Sequence, residues 1–167
     1  VIYVLIALER FLNEFDPDKV IVDNCYPDAE GMQKRITGVF AEIDPSGFMG
    51  QECWRDYQKK LNLWKENRPG FERLLTHWNE LLPRMREMIL TPEVYTRLLK
   101  NAGHPLEFED LGVKESEARW AYRNAYMLRK RLSTTDLMIF MDWIDENWID
   151  WVFNEKDKLV EKVKAEG

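Results

Sequence analysis

The sequence predicts an all-α fold, a multi-helix bundle, and three observations carry the prediction. Apolar residues recur at helical spacing through most of the chain, most regularly at Cys53, Tyr57, Leu61 and Trp64. Helix starts and stops punctuate those stripes at Pro27-Asp28, Thr91-Pro92-Glu93 and Gly103-His104-Pro105. One short run, Val20-Ile21-Val22, reads as strand-like, and it has no obvious partner; the plainer reading is an extended loop.

Val1 to Leu12 is apolar from its first position, with neither a capping residue nor a charged leader. It is too short to span a bilayer, which takes about 20 apolar residues. We therefore expect Val1 to be a cut within a longer protein. Pro27-Asp28-Ala29-Glu30 opens a helix through Met32, Ile36, Val39, Phe40 and Ile43, which stops at Asp44-Pro45-Ser46-Gly47. The turn Gly47-Phe48-Met49-Gly50 lacks the Lys-Ser/Thr pair of a phosphate loop and follows no strand.

From Gln51 to Leu90 long helices are expected, broken near Pro69-Gly70. Phe71, Leu74, Leu75, Trp78, Leu81, Leu82, Met85, Met88 and Ile89 form the second stripe, and Pro83 is placed to kink it. Thr91 then caps a helix reaching Lys100 through Val94, Leu98 and Leu99. Beyond Gly103 and Pro105 a single helix is predicted, with Ala118, Ala121, Ala125, Leu128 and Leu132 as its stripe and Arg123, Arg129, Lys130 and Arg131 at its end. Ser133 and Asp136 make a capping-box-like pair for the next helix, and Arg129 is expected to tie the corner through Asp136 or a terminal carbonyl.

Composition bounds function. With 167 residues, 45% of them hydrophobic and 13% aromatic, the chain is long enough to bury a core and is not disordered. A net charge of -6 argues against nucleic-acid binding, which rests on clustered Lys and Arg. Cys25 and Cys53 read as reduced thiols in a cytoplasmic setting. His77 and His104 stand on different elements with no metal-ligand spacing around them, and His104 sits where it meets helix-end carbonyls. Asp142, Asp145, Glu146 and Asp150 read as a solvated face. No residue is assigned a catalytic, cofactor-binding or metal-ligating role.

The residues from Gly103 to Pro105, Leu111-Gly112-Val113, Arg119, Tyr122, Ala125, Arg129, Arg131, Ser133 and Asp136-Leu137 also carry a resemblance. They resemble the C-terminal helical domain of the sn-glycerol-1-phosphate dehydrogenase family, within the iron-containing alcohol dehydrogenase and dehydroquinate synthase-like group. That family commonly reads Gly-Ala-Pro, Ile-Gly-Ile and Arg-x-Arg-Phe-Thr-x-x-Asp-Leu; here His104, Leu132 and Ser133 are departures, and the spacing is ungapped. The resemblance implies a helical domain over 1–146, with Trp78 and Leu81 in its core, followed by an acidic, Trp-containing extension over 147–167. It implies a parent enzyme transferring hydride between NAD(P) and a polyol phosphate with a divalent metal, Zn2+, Fe2+ or Ni2+. Cofactor and metal would belong to an upstream nucleotide-binding domain of the same protein, and this chain would close one wall of the cleft. It would hold no cofactor and would not be catalytic alone, although Arg129 and Arg131 have the chemistry to meet a substrate phosphate in an intact enzyme.

The tail departs from the family. Leu137, Met141, Ile144, Trp148, Trp151 and Val152 continue an apolar face among carboxylates. Two readings stand: the extension packs back on its own bundle, or its tryptophans offer a surface to a protein partner or a second copy. A membrane surface is disfavoured by the acidic residues around them. The alternative to the dehydrogenase reading is accordingly a free-standing helical interaction module, or a degenerate relative without catalysis.

Overall fold

A computed structural model describes residues 1–145 and 147–166, and Glu146 of the predicted acidic face lies outside them. Among the described residues there is no strand: α-helices and short 3-10 turns account for all of the regular structure. The chain divides into two compact units. Unit 1 takes residues 1–16, 78–122 and 144–167, and unit 2 takes residues 17–77 and 123–143.

Unit 1 is built on α1 (Ile2–Glu14), α5 (Trp78–Glu87), α6 (Pro92–Asn101), most of α7 (Glu115–Asn124) and α9 (Trp148–Ala165). α1 buries Ile2, Tyr3, Ile6, Ala7, Phe11 and Leu12, a stripe that packs on α9 and α6. α9 answers with Ile149, Val152, Phe153, Val160 and Val163. The tail thus packs against the first helix of the chain. Trp148 lies 5.2 Å from Tyr122, and Trp151 carries the Arg10 guanidinium at 4.5 Å, so both rings are half-buried within unit 1.

Polar ties hold these helices together. Arg86 donates to the Leu12 carbonyl at 2.9 Å, and Lys100 donates to the Val163 carbonyl at 2.7 Å. Arg97 grips Glu166 through two nitrogens at 2.8 Å each. Lys156, only 4% exposed, pairs with Glu107, which also takes Lys164 at 3.0 Å. Burial would push the Glu107 carboxyl up, but the hydrogen bonds from Lys156 and Lys164 overcome it and hold the pKa below the usual range. A depressed native pKa contributes stability that is present above the unfolded value near 4.3 and is lost as pH falls through the native one. Glu107→Gln should therefore flatten the stability profile between about pH 5 and 3. Urea midpoints across that range measure it, and superimposable wild-type and variant profiles would contradict it.

Unit 2 contains 3-10 turns at Pro17–Lys19 and Val22–Cys25, then α2 (Ala29–Ala41), α3 (Phe48–Glu66) and α4 (Arg68–Thr76), with a 3-10 turn at Ala125–Leu128 and α8 (Thr134–Phe140). The strand-like run at Val20–Val22 is part of this 3-10 connection. Asp28 caps α2, accepting from the Gly31 amide at 2.6 Å. The α3 stripe Cys53, Tyr57, Leu61 and Trp64 is buried as predicted, and Gly50 and Lys60 join it. Trp64 anchors the unit: its indole N–H donates to the Cys25 carbonyl at 2.8 Å, and its ring lies 4.6 Å from Phe71 and 5.2 Å from Phe140.

α2 and α3 approach closely at Gly50, where a Cβ would stand 3.0 Å from the Thr37 Cα and 3.3 Å from its carbonyl oxygen. Backbone cannot yield as a side-chain tip can. Gly50→Ala should destabilise by about 1–3 kcal/mol. Gly38→Ala, in the same helix pair but with nothing within 4 Å, should stabilise by roughly 0.5–1 kcal/mol through helix propensity. Thermal midpoints moving in opposite directions would verify the contrast.

Several predicted elements are corrected. The helix expected over Ala118 to Leu132 is not continuous: α7 ends at Asn124, a 3-10 turn follows, and Arg129 is extended at φ -139° and ψ 156°. The Tyr126 carbonyl, which a continuing helix would give to the amide of Lys130, is bound instead by the Lys60 ammonium. Ala121, Ala125, Leu128 and Leu132 are accordingly exposed, while Asn124, Tyr126 and Met127 are buried.

The long helix breaks at Asn67, whose side chain bonds the Leu63 carbonyl at 2.8 Å, and Pro69 sits in the first turn of α4. A second interruption falls at His77, and Pro83 lies inside α5. Leu81 is 36% exposed and Trp78 3%, so of the two residues expected in the core only the tryptophan is there. Thr91 caps α6 as expected, but the helix buries Pro92 and Thr96 and leaves Val94 and Leu98 in solvent.

Candidate functional site

Unit 2 contains a buried ionic cluster that arises from three sequence segments. Lys60, on α3 and 2% exposed, donates to Asp136 Oδ1 at 2.8 Å and to the Tyr126 carbonyl, with its Nζ 4.7 Å from the centroid of the Tyr57 ring. Asp136 is fully buried at the start of α8. Its second oxygen accepts from the Ser133 amide at 2.8 Å and the Ser133 hydroxyl at 2.7 Å, and the hydroxyl oxygen accepts from the Asp136 amide at 3.3 Å. This closes the capping box that the Ser133 and Asp136 spacing predicts. Burial pushes the Lys60 pKa down, against the opposing pull of the Asp136 carboxylate.

The carboxylate expected to hold Arg129 is thus taken by Lys60, and Arg129 and Arg131 are exposed. Sequence reasoning missed Lys60, although a signal existed. It stands three residues after Tyr57 and four before Trp64, on the apolar face of α3, where a lysine must be either paired or at the rim.

Beside the cluster lies a cavity of about 340 Å³, walled by Leu63, Trp64, Phe71, Leu74, Leu132 and Leu137. Lys60 and Lys130 also line it. Unit 1 has its own cleft of about 470 Å³, in which Arg10, Arg97, Glu93 and Glu155 surround Trp151. Its charges are of both signs, and Arg97 is already held by Glu93 and Glu166.

The other predicted candidates do not converge. His77 caps the end of α4 in unit 2, whereas His104 belongs to unit 1. There the His104 amide donates to the Leu99 carbonyl at 3.0 Å and the Gly103 amide to Lys100 at 2.9 Å, a helix stop made possible by Gly103 at φ 72°. Cys25 and Cys53 are buried free thiols, and burial pushes both pKa values up, away from thiolate chemistry.

Asp150 pairs with Arg119 at 2.7 Å, Asp145 accepts from the Asn147 amide at 2.8 Å, and Asp142 is exposed at a positive φ of 52°. No group of three or more His, Cys, Asp or Glu among the described residues is placed to hold a metal ion. In the Gly47 turn the Asp44 carboxylate accepts from the Met49 amide at 2.7 Å and the Ser46 amide at 3.1 Å, occupying the donors a phosphate would need. No helix among the described residues is long and apolar enough to cross a membrane.

No protein-family model, curated protein or solved structure matches the chain.

Proposed function

We propose that this chain is the C-terminal helical part of a protein similar to the glycerol-1-phosphate dehydrogenases, forming one wall of a cleft whose metal and NAD(P) are held by upstream polypeptide. The observation that carries the reading is the ungapped sequence signature from Gly103 to Leu137, although the helix expected to run through it to Leu132 ends at Asn124. Gly103 and Gly112 adopt φ 72° and 70°, and Ser133 with Asp136 forms a capping box. In this reading the parent reduces or oxidises a polyol phosphate with a nicotinamide cofactor, the metal serving as Lewis acid. The helical part contributes shape and exposed cations, Arg129 and Arg131 among them, rather than reacting groups.

The expected result is that the 167-residue chain shows no metal-dependent NAD(P)H oxidation with dihydroxyacetone phosphate, whereas the polypeptide extended upstream of Val1 does. The upstream coding sequence should contain a Gly-rich βαβ unit followed by a His-Gly segment. A start codon at that point, an unrelated upstream domain, or turnover by the short chain would overturn the proposal.

A further inference from the structure

The unit 2 cavity combines three features that together specify a ligand class. Its volume of about 340 Å³ falls within the range of small-molecule sites. Its walls are aliphatic and aromatic, and Leu63 and Leu132 at its edge are 52% and 47% exposed, so apolar surface is left in water. Among the described residues that line it, the charged ones are Lys60 and Lys130, in a chain whose net charge is -6.

The two lysines have different parts. Lys60 commits two of its three donors to Asp136 and the Tyr126 carbonyl, which neutralises and immobilises it. Lys130 is exposed in the segment between the 3-10 turn and α8. The Asp56 carboxylate that also feels Lys130 is itself hydrogen-bonded by Lys59 at 2.9 Å. Lys130 therefore supplies a cation at the edge of an apolar hollow.

The geometry points to a binding site for a medium-chain aliphatic carboxylate, its chain lying against Trp64, Phe71 and Leu74 and its head group paired with the Lys130 ammonium. This site is independent of the dehydrogenase reading and stands or falls without it. A free monomeric carboxylate, rather than a lipid surface, suits a hollow of this size.

Calorimetric titration of the whole 167-residue chain with decanoate tests it, with decylammonium and decanol as matched probes. Decanoate should bind saturably and one-to-one, shifting the nuclear magnetic resonance of the Trp64 indole N–H. Lys130→Glu, at an exposed position, should weaken binding by about tenfold or more, and Lys130→Arg should retain it. Circular dichroism of each variant checks that the helices persist. The inference is overturned by any of four outcomes: no saturable decanoate binding, equal binding of decylammonium, unchanged affinity in Lys130→Glu, or capture by anionic phosphatidylglycerol vesicles with no response to monomeric decanoate.

Discussion

Asp136→Ala is expected to lower the unfolding free energy by about 3–5 kcal/mol, the range for removing one partner of a buried ion pair. The loss has two parts. Lys60, 2% exposed, would be left without its counter-ion between the Tyr57 ring and the Tyr126 carbonyl, and the Ser133 amide would lose its acceptor at the start of α8. Without Asp136 the carboxylate that opposes the effect of burial on Lys60 is gone, so its native pKa falls further. A lysine whose native pKa lies below its unfolded value near 10.4 binds fewer protons folded than unfolded, and stability then rises with pH toward that value. Urea midpoints of Asp136→Ala should therefore recover partly between pH 7 and 9.5. The double change Lys60→Met with Asp136→Leu should lose far less than Asp136→Ala alone, because it leaves no buried charge. Equal losses in the two proteins would show that the ion pair is not what sets the cost.

Phe153→Ala should cost a similar amount, about 3–5 kcal/mol, in unit 1. The ring is 2% exposed and lies 4.5 Å from Tyr3, 6.2 Å from Tyr122 and 6.4 Å from Phe108, with the Arg119 guanidinium 4.3 Å from its centroid. Truncation leaves a cavity that four surrounding groups cannot close without abandoning one another. Trp151→Ala removes a larger ring at a half-buried position and one cation–π contact, and should cost less, on the order of 1 kcal/mol. Chemical denaturation of both variants ranks them; a greater loss at Trp151 would mean that α9 is held by its tryptophans.

Much of the helical content was legible because local signals are strong. The stripe from Cys53 to Trp64, the helix opening at Pro27-Asp28, the caps at Thr91 and Ser133, and the stop at Gly103 depend on residues within a turn or two of each other. What failed depends on partners distant in sequence. Nothing near residues 118–132 reveals that a lysine some sixty residues earlier takes the Tyr126 carbonyl, just beyond the point where the helix implied by the Ala and Leu spacing ends. The face of α6 was misread because Val94 and Leu98 are more apolar than Thr96, yet Thr96 is fully buried, its hydroxyl satisfied by the Pro92 carbonyl at 2.8 Å. The Lys60 to Asp136 pair escaped notice for the same reason: each half looks ordinary until the other is beside it.

The order of segments along the chain has a consequence for biosynthesis. Unit 2 is assembled from two stretches, 17–77 and 123–143, threaded between the three that make unit 1. During synthesis Lys60 has no counter-ion until Asp136 has been made, and the apolar stripe of α1, which α6 can cover in part, is completed only by α9. Neither core is complete until its last segment has been made, residues 123–143 for unit 2 and 144–167 for unit 1, whereas α2 and α3 can pair as soon as both are available.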